Sequence, residues 1–211
     1  MIVYDCEIIN AIKPKKASEV RKDIKYCDGW EDYKGMGVSC VGLYDTVKRK
    51  HYMACATPML ESLLKETGLP YELIGIKDIH EVVSVVDVLV GFNNLKFDKN
   101  LMKANGLESN LVEYDIIQEV WAAVGLSPVF NYRTHGGFSL GDIASANFGM
   151  EKTGDGGNAP LLYQTGRYRE LADYCHNDIV LTVNVLELIL MGKLKNPKNG
   201  KILKVRTPYE I

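Results

Sequence analysis

The sequence predicts an α/β fold built on a mixed sheet flanked by helices. Three observations carry that expectation. Residues 1–9 are apolar and β-branched, interrupted only by Asp5, Cys6 and Glu7, so they read as a central strand buried on both faces. Two more strand-like runs, 37–45 and 51–56, follow as a meander through a loose turn over 45–50. Beyond them strand and helix segments alternate, the pattern of parallel strands joined by crossover helices.

Between the first two strands lies a polar stretch, 10–36, holding basic residues and the aromatics Tyr26, Trp30 and Tyr33. It is long for a hairpin connection, which marks it as a functional insertion or a partly mobile loop. Residues 58–67 suit a short helix stopped by Gly68 and Pro70. Residues 82–92 contain a helix end and then a buried strand, 88–92. A helix over 95–105 follows, with Gly106 as its stop. Residues 111–116 form a short strand leading into a helix over 117–124, and 140–148 form another short helix. A glycine-rich loop, 149–160, precedes one long helix over 166–190. The expected organisation is one domain over 1–192, carrying the 10–36 insertion, and a basic tail over 193–211.

Composition excludes several classes. The chain has 211 residues, 46% hydrophobic and 25% charged, which is globular and neither collagen-like nor disordered. The cysteines, Cys6, Cys27, Cys40, Cys55 and Cys175, are odd in number and contain no C-x-x-C pair, so they read as reduced, mostly buried thiols. No apolar run approaches the roughly 18 residues of a membrane span. A cytoplasmic protein is the expectation. The net charge of −2 hides an uneven distribution. Residues 10–25 carry +4 and residues 193–211 carry +5, leaving −11 on the rest. Two basic arms around an acidic body fit contact with a phosphate backbone, and each arm alone fits a solvated loop.

The carboxylates within the apolar segments carry the chemistry. Asp5 and Glu7 lie two apart on a strand and share a face. Alone they fit a solvated sheet face, but the strand around them is apolar on both sides, and buried carboxylates need a compensating charge or a proton. Asp98 follows the strand 88–92 and the pair Asn93-Asn94, where residues beyond a strand end face a ligand crevice. Asp178 lies four residues after Tyr174 on the long helix, on a face flanked by Leu171, Cys175, Leu181 and Val185. Four oxygen-only ligands suit hard cations such as Mg²⁺ or Mn²⁺. Two such ions serve in-line attack on a phosphodiester, with a tyrosine beside them to orient the water.

These motifs together resemble the DEDD superfamily of 3′–5′ exonucleases, which have a ribonuclease H-like fold. The motifs are Asp5-Cys6-Glu7, the run Gly91 to Asp98 with its asparagine and Phe97-Asp98, and Tyr174-Cys175-His176-Asn177-Asp178. The last is the tyrosine-subclass form. The segment 161–182 is also similar to predicted exonucleases related to family B polymerase proofreading domains. The resemblance implies a five-stranded mixed sheet, with three antiparallel meander strands and then two parallel ones. It implies two divalent cations, Mg²⁺ or Mn²⁺, held by Asp5, Glu7, Asp98 and Asp178. Asp5 and Asp178 with Glu7 would hold the first, and Asp5 with Asp98 the second. Tyr174 would position the water, and 5′-mononucleotides would be released.

The expected activity is therefore 3′–5′ hydrolysis of nucleic acid, single-stranded or frayed DNA in preference to RNA, with a polymerase or another replication or repair protein as a possible partner. A structure-specific endonuclease, an RNA exonuclease, or a catalytically silent binding partner of a polymerase or helicase are the alternatives. The expected substrate contacts are Asn94, Asn93, Phe97 and Lys152. Arg167 and Arg169 are further phosphate candidates, and His176 reads as a bystander or a phosphate contact. Asp115 fits a turn or cap more readily than a supporting carboxylate. Tyr26, Trp30 and Tyr33 fit base stacking and packing onto the body equally well.

Overall fold

A computed structural model describes residues 1–150 and 156–211 of the chain. The first strand, β1 (Ile2–Ile8), alternates its side chains between two buried layers. Ile2, Tyr4, Cys6 and Ile8 enter one apolar core, and Val3 enters the other, on the same side as Asp5 and Glu7. Such a strand must sit mid-sheet, and it does.

The insertion follows as two very short strands, β2 (Ala11–Ile12) and β3 (Tyr26–Cys27), and one helical turn, α1 (Tyr33–Met36). β2 and β3 pair in parallel, and the insertion leaves and rejoins the body at one place. Ile9 and Asn10 both donate backbone N–H bonds to the Met36 carbonyl. Gln164 fastens it from the side, accepting from Lys25 N and donating to the carbonyls of Ile9 and Lys25. Asn105 donates to the Tyr33 carbonyl, and Tyr33 Oη donates to the Lys96 carbonyl.

The meander continues with β4 (Val38–Asp45) and β5 (Lys50–Cys55), each antiparallel to its neighbour. Helix α2 (Thr57–Leu63) crosses over to β6 (Glu72–Gly75), which pairs in parallel with β5. Helix α3 (Ile79–Val83) leads to β7 (Val88–Gly91), and α4 (Asp98–Ala104) leads to β8 (Val112–Asp115). The helices α5 (Ile116–Ala123), α6 (Tyr132–His135), α7 (Leu140–Phe148), α8 (Ala159–Gln164) and α9 (Tyr168–Leu190) complete the fold. Among them, α7 opens with a reciprocal capping box between Ser139 and Asp142 and stops at left-handed Gly149.

The sheet order is β6-β5-β4-β1-β7-β8, so it has six strands and not the expected five. The added strand, Glu72–Gly75, is four residues long and lies at the edge. Its pairing partner comes from across a helix, so no local alternation announces it. The meander and the parallel strands β7 and β8 otherwise take the expected arrangement.

Helix α9 lies across β1 and β4 and buries Leu171, Cys175, Ile179, Val185 and Ile189. Gly42 of β4, opposite Asp5, lets it come close. A Cβ there would stand 2.8 Å from Ile179 Cγ1 and 3.0 Å from Cys175 Sγ. The basic segment 193–211 is packed onto the body and does not trail from it. Leu194, Leu203 and Val205 are buried in the core beside α5 and α7, and the Arg206 carbonyl accepts from Tyr114 Oη at 2.5 Å. All five cysteines are free and buried. Among the described residues no helix is long and apolar enough to cross a membrane.

Candidate active site

The parallel strands β1 and β7 pair only at Ile2–Leu89 and Val3–Val90. Beyond Val3 no strand among the described residues pairs with β1 on that side, and its next backbone donors need acceptors from elsewhere. Asp98, at the start of α4, supplies one, with its Oδ1 accepting from Cys6 N at 2.9 Å. The same bond draws Asp98 to the level of Asp5 and Glu7.

From the other side α9 brings Tyr174 and Asp178, one turn apart on its inward face. Cys175 on the same helix donates from Sγ to the Asp5 carbonyl at 3.8 Å. Ligand atoms of Asp5, Glu7 and Cys175 lie within 4.8 Å of one another. Tyr174 is hydrogen-bonded to the Asp178 carboxylate.

These residues line one cleft of about 640 Å³ at the C-terminal ends of β1 and β7. Asp5, Glu7, Asp98, Tyr174 and Asp178 all face it, with Asn93 and Phe97. The structure thus brings together the five residues expected to be catalytic. Glu7, Asp98 and Asp178 are only 6%, 4% and 3% exposed. Burial pushes the Asp98 carboxyl up to about 7, helped by nearby Asp115, against the opposing bond from Cys6 N. Burial, together with the negative charges of Glu7, Asp178 and Asp5, pushes the Tyr174 hydroxyl well above its ordinary range. Tyr174 is therefore a neutral hydrogen-bond donor at physiological pH. The donor set is all-oxygen save the Cys175 thiol, which its bond with Cys40 and then burial hold in the protonated form. A concentration of carboxylates in this setting fits hard divalent cations.

Asn94, expected among the substrate contacts, sits elsewhere. It is fully buried beneath the loop, and its Nδ2 donates to Glu113 Oε2 at 2.5 Å and to Tyr4 Oη at 3.5 Å. The cause is the left-handed backbone of Asn93, φ 66°, which turns the following side chain inward against Gly91. Asn93 stays at the cleft, its backbone N–H donating to Asp115 Oδ1 at 2.8 Å. Asp115 also accepts from Leu95 N and caps α5 at Ile117 N, so one buried carboxylate shapes the loop and starts the next helix. Lys152 lies outside the described residues.

Arg167, the residue just before α9, and Arg169 within it are engaged in surface ion pairs with Glu170 and Asp173 of that helix. His176 points away from the cleft into an aromatic group with His51 and Tyr71, at centroid distances of 4.6 and 5.3 Å. The sequence did not place Gly156, Gly157 and Pro160 in the cleft wall, their glycine-rich composition being the visible signal, and it marked Lys13 and Lys15 only through the net positive charge of residues 10–25.

No protein-family model matches the sequence, and no curated protein matches it. Solved structures do. The fold is similar to the family B DNA polymerase from the hyperthermophilic archaeon Pyrobaculum calidifontis, with a TM-score of 0.56 at 14% identity. The similarity covers 90% of this chain and 24% of that one, so the chain spans about a quarter of the polymerase's length.

Proposed function

We propose that the chain is a metal-dependent 3′–5′ exonuclease of the DEDD superfamily, tyrosine subclass, acting on single-stranded or frayed nucleic acid, DNA before RNA. One observation carries the reading: Asp5, Glu7, Asp98, Asp178 and Tyr174, scattered through the sequence, line a single cleft at the C-terminal ends of parallel strands. Likeness of fold to part of a DNA polymerase supports a nucleic-acid substrate. The polarity rests on the motif resemblance.

In this reading Asp5, Glu7 and Asp178 hold one divalent cation, and Asp5 with Asp98 a second. Bound there, the cations would supply charge neutralisation and an activated water for phosphodiester hydrolysis. Asp98 would have to be ionised to hold a cation; burial, which raises its carboxyl to about 7, opposes that, and the charge of a bound cation would offset it. Tyr174, held neutral with its one proton on the Asp178 carboxylate, would accept a hydrogen bond from the attacking water through its hydroxyl oxygen and so orient it. Asn93 and Phe97 border the space for the terminal nucleotide, Phe97 through its ring and Asn93 from a backbone fixed by Asp115.

The test uses a 5′-labelled single-stranded DNA oligonucleotide with Mg²⁺, Mn²⁺ or EDTA, alongside Asp178→Ala. A metal-dependent ladder that shortens from the 3′ end and vanishes in the variant is the expected result. Tyr174→Phe should slow cleavage by roughly 10²-fold or more, within the usual range for a proton-positioning group. Intact DNA and RNA under every condition would overturn the reading.

A further inference from the structure

Part of the cleft wall belongs to the insertion, which contributes Ile12, Lys13, Lys15 and Trp30. Trp30 is 68% exposed, so most of its indole faces solvent at the mouth of the cleft. It is not adrift. Its ring meets Phe97 edge-on at 6.5 Å, Phe97 meets Tyr33 edge-on at 6.1 Å, and Tyr33 is bonded to the Lys96 carbonyl. The turn carrying it is pinned by Asp32, which accepts from Asp28 N and Gly35 N. An indole is thus held at the rim of a cleft whose floor is acidic. Lys13 and Lys15, both exposed, flank it on the same wall.

A fixed exposed aromatic beside lysines is the arrangement that holds unpaired nucleotides: bases stack on the ring, and the cations meet the phosphates. A base paired within a duplex offers no free face to such a ring. We propose that the 10–36 insertion is the strand-selecting wall of this cleft. Trp30 stacks on an unpaired base next to the terminal nucleotide, and Lys13 and Lys15 hold the phosphates beside it. The proposal rests on the reading of the cleft as a nucleic-acid site, and it adds the residues that choose single strands.

Trp121, the other tryptophan, is buried, so Trp121→Phe leaves Trp30 as the sole indole reporter. The full-length Trp121→Phe protein is titrated with a hydrolysis-resistant phosphorothioate octathymidylate, with Ca²⁺ replacing Mg²⁺, and in parallel with a blunt duplex of equal length. Quenching of Trp30 emission by the single strand and not by the duplex is expected. Trp30→Ala should weaken single-strand binding by about 5- to 100-fold, and Trp30→Phe should restore most of it. Lys13→Ala with Lys15→Ala should flatten the dependence of log affinity on log salt by roughly 1.4, about 0.7 for each lost phosphate contact on a single strand. Unquenched emission at saturating oligonucleotide, or Trp30→Ala binding within twofold of the parent, would overturn the proposal. Because the readout is binding, it separates from the exonuclease reading. A protein that trims DNA without Trp30 quenching refutes this inference alone. One that quenches but never cuts refutes the exonuclease reading alone.

Discussion

Gly42→Ala should impair the site without touching any residue in it. The added Cβ would stand 2.8 Å from Ile179 Cγ1 and 3.0 Å from Cys175 Sγ, both on α9. Carbon atoms rest about 3.5–4.0 Å apart, so Ile179 must retreat by roughly 1 Å. Ile179 and Cys175 are fully buried and have no free volume to swing into, so the helix itself must shift. Overpacking of this kind costs about 1–3 kcal/mol, which for a chain this long lowers Tm by roughly 2–12 °C. The helix carries Tyr174 and Asp178, and a displacement near 1 Å can lower a rate by about 10²-fold. The assay pairs a thermal melt with cleavage of the labelled oligonucleotide at 25 °C, where the variant stays folded. A modest drop in Tm with a 10- to 100-fold loss of rate is expected. Adding Ile179→Ala should return part of the activity, since it vacates the space the new methyl takes, a non-additivity typical of contacting residues. Gly42→Ala with parental rate and melting would refute the claim that close approach of α9 over Gly42 sets the site.

Two other outcomes follow from the buried polar groups. Asp98 has its carboxyl raised from 3.8 to about 7, so between these values the folded chain binds a proton that the unfolded chain has lost. Metal-free stability must then fall as pH rises through that window. Asp98→Asn, which keeps an acceptor for Cys6 N, should melt above the parent in EDTA at pH 8, by at most ~4 kcal/mol, with the gap closing toward pH 4. It should also lose cleavage; equal melting at both pH values would contradict the burial argument. Asn94→Ala removes a donor to a carboxylate and should cost about 2 kcal/mol, or roughly 4–8 °C, while KM for DNA changes less than twofold. A tenfold rise in KM with an unchanged melt would put Asn94 back among the substrate contacts.

Much of the site was legible because its signals are local. Period-two spacing put Asp5 and Glu7 on one face of β1, and four-residue spacing put Tyr174 and Asp178 on one face of α9. The apolar context of each said that the face was inward. What stayed hidden depends on partners distant in sequence or on single dihedral angles. The strand Glu72–Gly75 exists because β5 offers it an edge. Asn94 faces inward because Asn93 is left-handed, a choice its composition permits but does not announce. In the segment 193–211 the lysines dominate the count. Leu203 and Val205, two apart, bury themselves among them, and so the segment expected as a basic tail is packed onto the body. The insertion's aromatics fitted stacking and packing alike. Tyr33 proved to be bonded inward, and Trp30 was left facing out.

The route by which the insertion joins the body bears on how such a protein could diversify. It departs at Ile9 and returns at Met36, with both ends tied to the same few backbone groups and steadied by Gln164. An excursion that begins and ends at one spot behaves as an exchangeable cassette. Lengthening it adds little closure entropy, since each doubling costs only about 0.6 kcal/mol, and it shifts nothing in the sheet register that aligns Asp5 and Glu7. The chemistry is written into the sheet, α4 and α9, whereas part of the wall a substrate meets is written into an inserted segment. Recognition could therefore drift or be grafted without rebuilding the carboxylate cluster.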